Sequence, residues 1–216
     1  MRAGRCLLAD EMGLGKTVQA VAACELLRRI LDIRRVLVIS PASLKGEWEE
    51  QIAKFTDLPA HIIQGPRARR LRQYDEPAFF YLANYEQVRA DVEDINATLA
   101  PDVIILDEAQ RIKNWQTRTA ISAKRLKSPY AFVLTGTPVE NHLGELGSIF
   151  EFLNPGMLGR LSAMEGISGL RQADEATLQG LQQVVALRMA VVEVVDRGQL
   201  AAVRPVPQSA VAHVLI

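Results

Sequence analysis

The chain has 216 residues, with 25 Lys and Arg against 25 Asp and Glu, so its formal charge is zero; 49% of the residues are hydrophobic and 6% aromatic. That length suits one well-buried domain with an appendage and excludes two full α/β lobes, and zero net charge excludes a global field that would draw nucleic acid, leaving such binding to local basic patches. No charge-free apolar segment approaches the ~18 residues of a membrane span, and Cys6 and Cys24 supply neither a disulfide framework nor a metal-ligand cluster, which leads us to expect core cysteines in a reduced, cytoplasmic protein without a membrane partner.

In chain order, the apolar run Cys6-Leu7-Leu8-Ala9 precedes DEMGLGKT, residues 10–17, and a helical pattern follows it. This is the strand, loop and helix context of a phosphate loop. Gly13 and Gly15 bear no side chain to hold a phosphate off, so the backbone N–H groups of Gly13, Leu14 and Gly15 and the positive end of the next helix can surround its oxygens. Lys16 would reach the terminal phosphates and Thr17 would offer its hydroxyl to Mg²⁺. Asp10 stands where the strict motif has its first Gly, so the segment alone is also compatible with a Gly-containing turn capping an ordinary helix.

From Thr17 to Leu31 a broad apolar face holds Ala20, Ala23, Cys24, Leu27, Ile30 and Leu31, as in a helix packed on a sheet. Val36-Leu37-Val38-Ile39 reads as a buried strand ending at Ser40-Pro41, and Leu44, Trp48, Ile52 and Phe55 form the core face of the next helix. At that helix start, open N–H groups at Ala42 and Ser43, with Lys45 beside them, could hold a nucleic-acid phosphate; Ser43 as a simple cap fits equally well. Residues 61–64 read as a strand, followed by Arg67, Arg69, Arg70 and Arg72, either a DNA-backbone contact or a solvated helix face. A strand at 78–83 and a helix reaching about Leu99 come next.

Val103-Ile104-Ile105-Leu106 is a buried strand that stops at two acids, Asp107 and Glu108. Ligands of open parallel sheets lie beyond the carboxyl ends of the strands, where these acids and the Lys16 loop would both emerge. Asp107 is the expected partner of Mg²⁺, through water, and Glu108 the group that orients and deprotonates the attacking water; a plain helix-capping acid pair is the competing reading. Asn114 could cap a helix through Leu126, whose Lys113, Arg118, Lys124, Arg125 and Lys127 make a second basic surface. A strand at 132–134 leads into Thr135-Gly136-Thr137, which could sense a γ-phosphate or be an ordinary turn. A helix with Leu143, Leu146, Ile149, Phe150 and Leu153 on one face stops at Asn154-Pro155-Gly156. The alternation predicts a three-layer α/β/α sandwich with a mainly parallel sheet. Beyond it only a helix at 178–195 and weak strand alternation at 206–216 are legible.

DEMGLGKT (10–17), VLVISPASL (36–44), ANYEQV (83–88), DEAQRIKN (107–114) and LTGTPVEN (134–141) together resemble, in order and spacing, the first motor lobe of the Swi/Snf-type ATPases of helicase superfamily two, DNA-dependent translocases and nucleoprotein remodellers. The resemblance spans roughly residues 4–159. It implies a RecA-like P-loop lobe at 1–159 and a linker or tail at 160–216, with ATP and Mg²⁺ held by Gly13, Leu14, Gly15, Lys16, Thr17 and Asp107, and Glu108 as the hydrolytic base. Gln110, Thr135, Gly136 and Thr137 are then the coupling residues between ATP state and DNA grip. Pro41, Ala42, Ser43, Lys45, Asn84 and Tyr85 are those that run along a double-stranded DNA backbone without reading sequence.

Gln110, where the more familiar residue is His, points to a prokaryotic origin and hence a nucleoid-associated protein. The family's adenine-reading glutamine, its basic run toward the second lobe, and that lobe with its arginine finger have no counterpart in these 216 residues. The expectation is therefore the ATP-binding half of a motor, weak in hydrolysis alone and completed by a second RecA-like lobe from missing sequence or another chain. A non-catalytic nucleotide- or DNA-binding module is the alternative.

Overall fold

Four apolar residues in a row, as at 36–39 and 103–106, leave no polar face for water, so helices must cover both sides of the sheet that holds them. The computed structural model describes residues 4–8, 15–114, 116–136 and 143–155 and has that arrangement. The described residues contain six strands: β1 (Arg5–Leu8), β2 (Val36–Ser40), β3 (Ala60–Ile62), β4 (Phe80–Asn84), β5 (Val103–Leu106) and β6 (Tyr130–Leu134). They form one sheet in the order β1-β6-β5-β2-β4-β3, with every pairing parallel. Helices α1 (Lys16–Leu31), α2 (Lys45–Phe55), α3 (Arg67–Gln73), α4 (Tyr85–Asp94), α5 (Arg118–Arg125) and α6 (Leu143–Leu153) alternate with them.

Alternate side chains of each strand serve opposite layers. Val36, Val38, Val103 and Ile105 pack with Ala20, Val21 and Cys24 of α1 and with Trp48 and Ile52 of α2. Leu37, Ile39, Ile104 and Leu106 pack with Val88 and Val92 of α4, Ala120 and Ala123 of α5, and Ile149, Phe152 and Leu153 of α6. This is the predicted three-layer α/β/α sandwich. The chain divides into two units between Pro155 and Gly156, and the described residues all belong to the first. The expected helix at 178–195 and strand at 206–216 lie outside them.

Several local expectations are corrected. Ile30 and Leu31 are 66% and 46% exposed, and Phe55 is 50% exposed; helical spacing marks a face but does not say how far along the helix another layer covers it. The fourth strand is 80–84 rather than 78–83. Asn114 does not begin a helix: its side chain closes a turn on the Gln116 N–H (3.1 Å), and Thr117 caps α5 by accepting from Ala120 N–H (3.2 Å). Both residue types cap helices well, so composition could not order them.

The arginine run is also used internally. Asp91 is fully buried on α4 and accepts from Arg70 Nε (2.6 Å) and Nη2 (2.8 Å) and from the Tyr74 hydroxyl (3.1 Å), while Arg67 pairs with Asp94. These bonds fasten α3 to α4 and take two of the four arginines from any phosphate. Asp91→Ala would strand the Arg70 guanidinium, 12% exposed, without its partner; we expect a loss of about 3 kcal/mol of stability, read from the urea denaturation midpoint.

Candidate functional site

The neighbours β1, β6 and β5 end together, with Leu8 in register with Leu134 and Leu106 with Val133. The residues leaving them are tied to adjacent strand ends. Thr135 N–H donates to Leu8 O (3.1 Å), and Asp107 N–H donates to Ile39 O (2.8 Å). The carboxyl rim is thus one ledge, and α1 begins at it.

Gly15 precedes Lys16 with φ +72°, a left-handed backbone that glycine adopts without the Cβ clash. Among the described residues no atom beyond its chain neighbours lies within 4 Å of where its Cβ would be, so the left-handed conformation is what favours glycine here. Lys16 and Thr17 form the first turn of α1, both half-buried. Gly13, Leu14 and Thr137 lie outside the described residues.

Asp107 is 9% exposed. Its Oδ2 accepts from the indole Nε1–H of Trp48 (2.8 Å), its Oδ1 from the Glu108 N–H (2.9 Å), and its backbone carbonyl from the Tyr85 hydroxyl (2.6 Å). Burial pushes its carboxyl above the usual range. The Trp48 and Glu108 N–H bonds oppose that shift, the Glu108 charge adds to it, and the Lys16 ammonium pulls it down. The sum is a carboxyl that burial holds above its ordinary range, within the field of the Lys16 ammonium.

Glu108 turns the chain sharply from β5 into a 3-10 turn, Ala109–Ile112, at φ +50°, a strained value for a residue with a side chain. Its carboxylate accepts from Gln110 Nε2, and the Thr135 hydroxyl lies 3.4 Å from Gln110 Oε1 as its donor. Gly136 follows on the same ledge, half-buried. Lys16, Asp107, Glu108, Gln110 and Thr135, which are spread over 120 positions of sequence, therefore meet at one rim.

The residues expected along DNA divide. Pro41 is half-buried, and Ala42 and Ser43 are exposed in a 3-10 turn, Ala42–Leu44, that leads into α2. Ser43 occupies neither cap position: Pro41 precedes that turn and Leu44 precedes α2. Asn84 caps α4 through a reciprocal pair with Gln87. Two assignments are corrected. Lys45 is 8% exposed, and its ammonium donates to Ile63 O (2.7 Å) and Gln87 Oε1 (3.2 Å), so it does not face a phosphate. Tyr85 is 2% exposed and points at Asp107. Both sit beside the expected contact segment, and sequence adjacency does not reveal which way a side chain turns.

Trp48 and Gln87 were missed as site residues. Helical spacing does put Trp48 in the core, where it is 1% exposed, but spacing carries no sign of its bond to Asp107.

Compared with known proteins, residues 2–201 match the model of the SNF2-related domain. The chain belongs to that family. The match extends beyond residue 159, where the motif resemblance stops. A Bacillus subtilis relative, described as the putative ATP-dependent helicase/translocase YwqA, is 36% identical over 196 residues, 84% of this chain and 20% of that protein. The yeast TATA-binding protein-associated factor MOT1 is 34% identical over 168 residues, 71% of this chain and 9% of that protein. Among solved structures, the Sulfolobus solfataricus SWI2/SNF2 ATPase core in complex with dsDNA superposes with a TM-score of 0.64 at 38% identity, over 73% of this chain and 32% of that one. This SNF2-related chain thus has the fold of a RecA-like lobe, and it spans a fifth or less of these curated relatives and about a third of the ATPase core.

Two glycines at helix starts, Gly15 and Gly46, make a test. Gly15→Ala should cost about 1 kcal/mol because an L-residue resists the left-handed backbone. Gly46→Ala, in α2 with nothing within 4 Å of its Cβ, should gain a few tenths, at most about 1 kcal/mol. Denaturation midpoints of the two nucleotide-free variants should therefore move in opposite directions.

Proposed function

We propose that this chain is the ATP-binding lobe of an SNF2-type DNA-dependent ATPase, at residues 1–159, with 160–216 leading toward a second RecA-like lobe. The observation that carries the reading is the meeting of the buried Asp107 carboxylate with Lys16 and Glu108 at one rim of the parallel sheet.

The donor set suits a hard cation. Asp107 and the Thr17 hydroxyl offer oxygen ligands, and among the described residues no group of three or more His, Cys, Asp or Glu competes as a metal cage. Mg²⁺ bound by few protein oxygens and completed by phosphates and water fits such a site. When bound, the cation neutralises charge developing on the phosphates.

The chain's own residues have distinct tasks. Lys16 and the first N–H groups of α1 bind the phosphate oxygens. Asp107 supplies the carboxylate that the cation needs. Glu108, fixed by its strained backbone and by Gln110, orients a water and takes its proton. Thr135, bonded to Gln110, ties that base to the turn after β6.

On the other side of the ledge, the exposed Ala42-Ser43 turn and the N-terminus of α4 support a duplex-backbone contact, which would be sequence-independent and salt-sensitive. An arginine supplied from a second lobe adds about 10³–10⁵ in rate for NTPases of this type. The single lobe is accordingly a better binder than hydrolase.

Lys16→Ala should abolish tight ATP binding. Glu108→Gln should retain it and lower the slow intrinsic hydrolysis by about 10²–10⁴. Isothermal titration with single-turnover phosphate release measures both, and hydrolysis indifferent to the two changes would remove the role assignment.

A further inference from the structure

The turn at Pro41 to Ser43 follows β2, and Asn84 ends β4; the two strands are neighbours, with Ser40 in register with Asn84. Behind this edge the chain is bolted into one block. Lys45 Nζ donates to Ile63 O and to Gln87 Oε1, and Gln87 Nε2 donates to the same Ile63 O (3.0 Å). Gln87 Oε1 also accepts from Asn84 N–H (3.0 Å), while Gln87 N–H donates to Asn84 Oδ1 (2.8 Å). A push on either segment must therefore move both.

Two aromatic side chains leave this block, and both end on Asp107. Trp48 lies one turn beyond Lys45 on α2 and donates to the carboxylate; Tyr85 opens α4 and donates to the backbone carbonyl. Each ring is almost completely buried. Neither touches solvent, so neither is placed to contact duplex or nucleotide itself.

We infer that Trp48 and Tyr85 are positioning residues that couple occupancy of the duplex-facing edge to the aim of the Asp107 carboxylate. Through them, duplex DNA tightens Mg·nucleotide binding, and Mg·nucleotide tightens duplex binding by the same factor. The inference rests on the nucleotide and duplex reading proposed above. A plain packing role for the two rings is the competing account, and the donor atoms separate the two: packing needs the rings, whereas coupling needs the N–H and O–H.

The test uses the 216-residue chain and a fluorescent ADP analogue, titrated with and without Mg²⁺ and with and without a mixed-sequence DNA duplex at low salt. In the wild type, duplex should raise Mg·ADP affinity about 5–150-fold, the usual range of coupling between sites. Tyr85→Phe, which deletes one oxygen, and Trp48→Phe, which deletes the donor, should each cut that factor at least threefold while leaving nucleotide-free duplex affinity within twofold. If Trp48→Phe does not fold, Tyr85→Phe alone decides. Variants that keep the wild-type factor overturn the inference, as does a wild type that binds both ligands with a factor of one; in those cases the proposed function stands. A wild type that binds neither ligand overturns both.

Discussion

An ionised carboxylate is expensive to keep out of water, and Asp107 is kept out of water at the end of β5 with hydrogen bonds as its main compensation. Trp48 and the Glu108 N–H bond its two oxygens, yet burial still wins and its carboxyl stays above the ordinary range. In the function proposed above, a phosphate-bound cation would offset part of that cost. Other features of the rim follow from holding this group in place: the parallel register that brings β1, β6 and β5 to one level, the anchoring of Asp107 N–H on β2, and the strained turn at Glu108.

That strain sits between two well-packed elements. β5 is fully buried, and the turn after it is fixed by Ala109 and Ile112 in the core and by the Ser148 hydroxyl of α6 donating to Ile112 O (2.6 Å). The surrounding packing over-determines the conformation, which is how a left-handed glutamate persists. The glutamate is thereby aimed off the strand end and toward Gln110 instead of continuing along the sheet.

Among the described residues, several basic side chains are paired within the lobe itself. Arg67 and Arg70 answer Asp91 and Asp94, Arg125 answers Glu93, Arg28 and Arg29 share Glu25, and Lys45 spends its ammonium on a carbonyl and an amide. With a formal charge of zero, the duplex-facing edge proposed above would rely on oriented backbone N–H groups at helix starts more than on lysine and arginine. The same bonds that remove Lys45 from the surface make that edge rigid, and a rigid edge can pass a displacement inward to Trp48 and Tyr85.

The sequence alone determined the layer architecture, because unbroken apolar runs fit only a sheet covered on both faces, and it singled out Gly-Lys-Thr after one strand and paired acids after another as the candidates for a phosphate and a cation. Ordered motifs also placed the chain in its family. What periodicity could not supply was direction and partner: that Trp48 spends its one polar atom on Asp107, that Lys45 and Tyr85 turn inward beside segments expected to face outward, that Arg70 meets an aspartate 21 positions away, and that Ile30 and Phe55 stay exposed. Only tertiary structure decides these, because a side chain's hydrogen-bond partner is set by which elements the parallel crossovers bring side by side, and neighbouring letters carry no record of that.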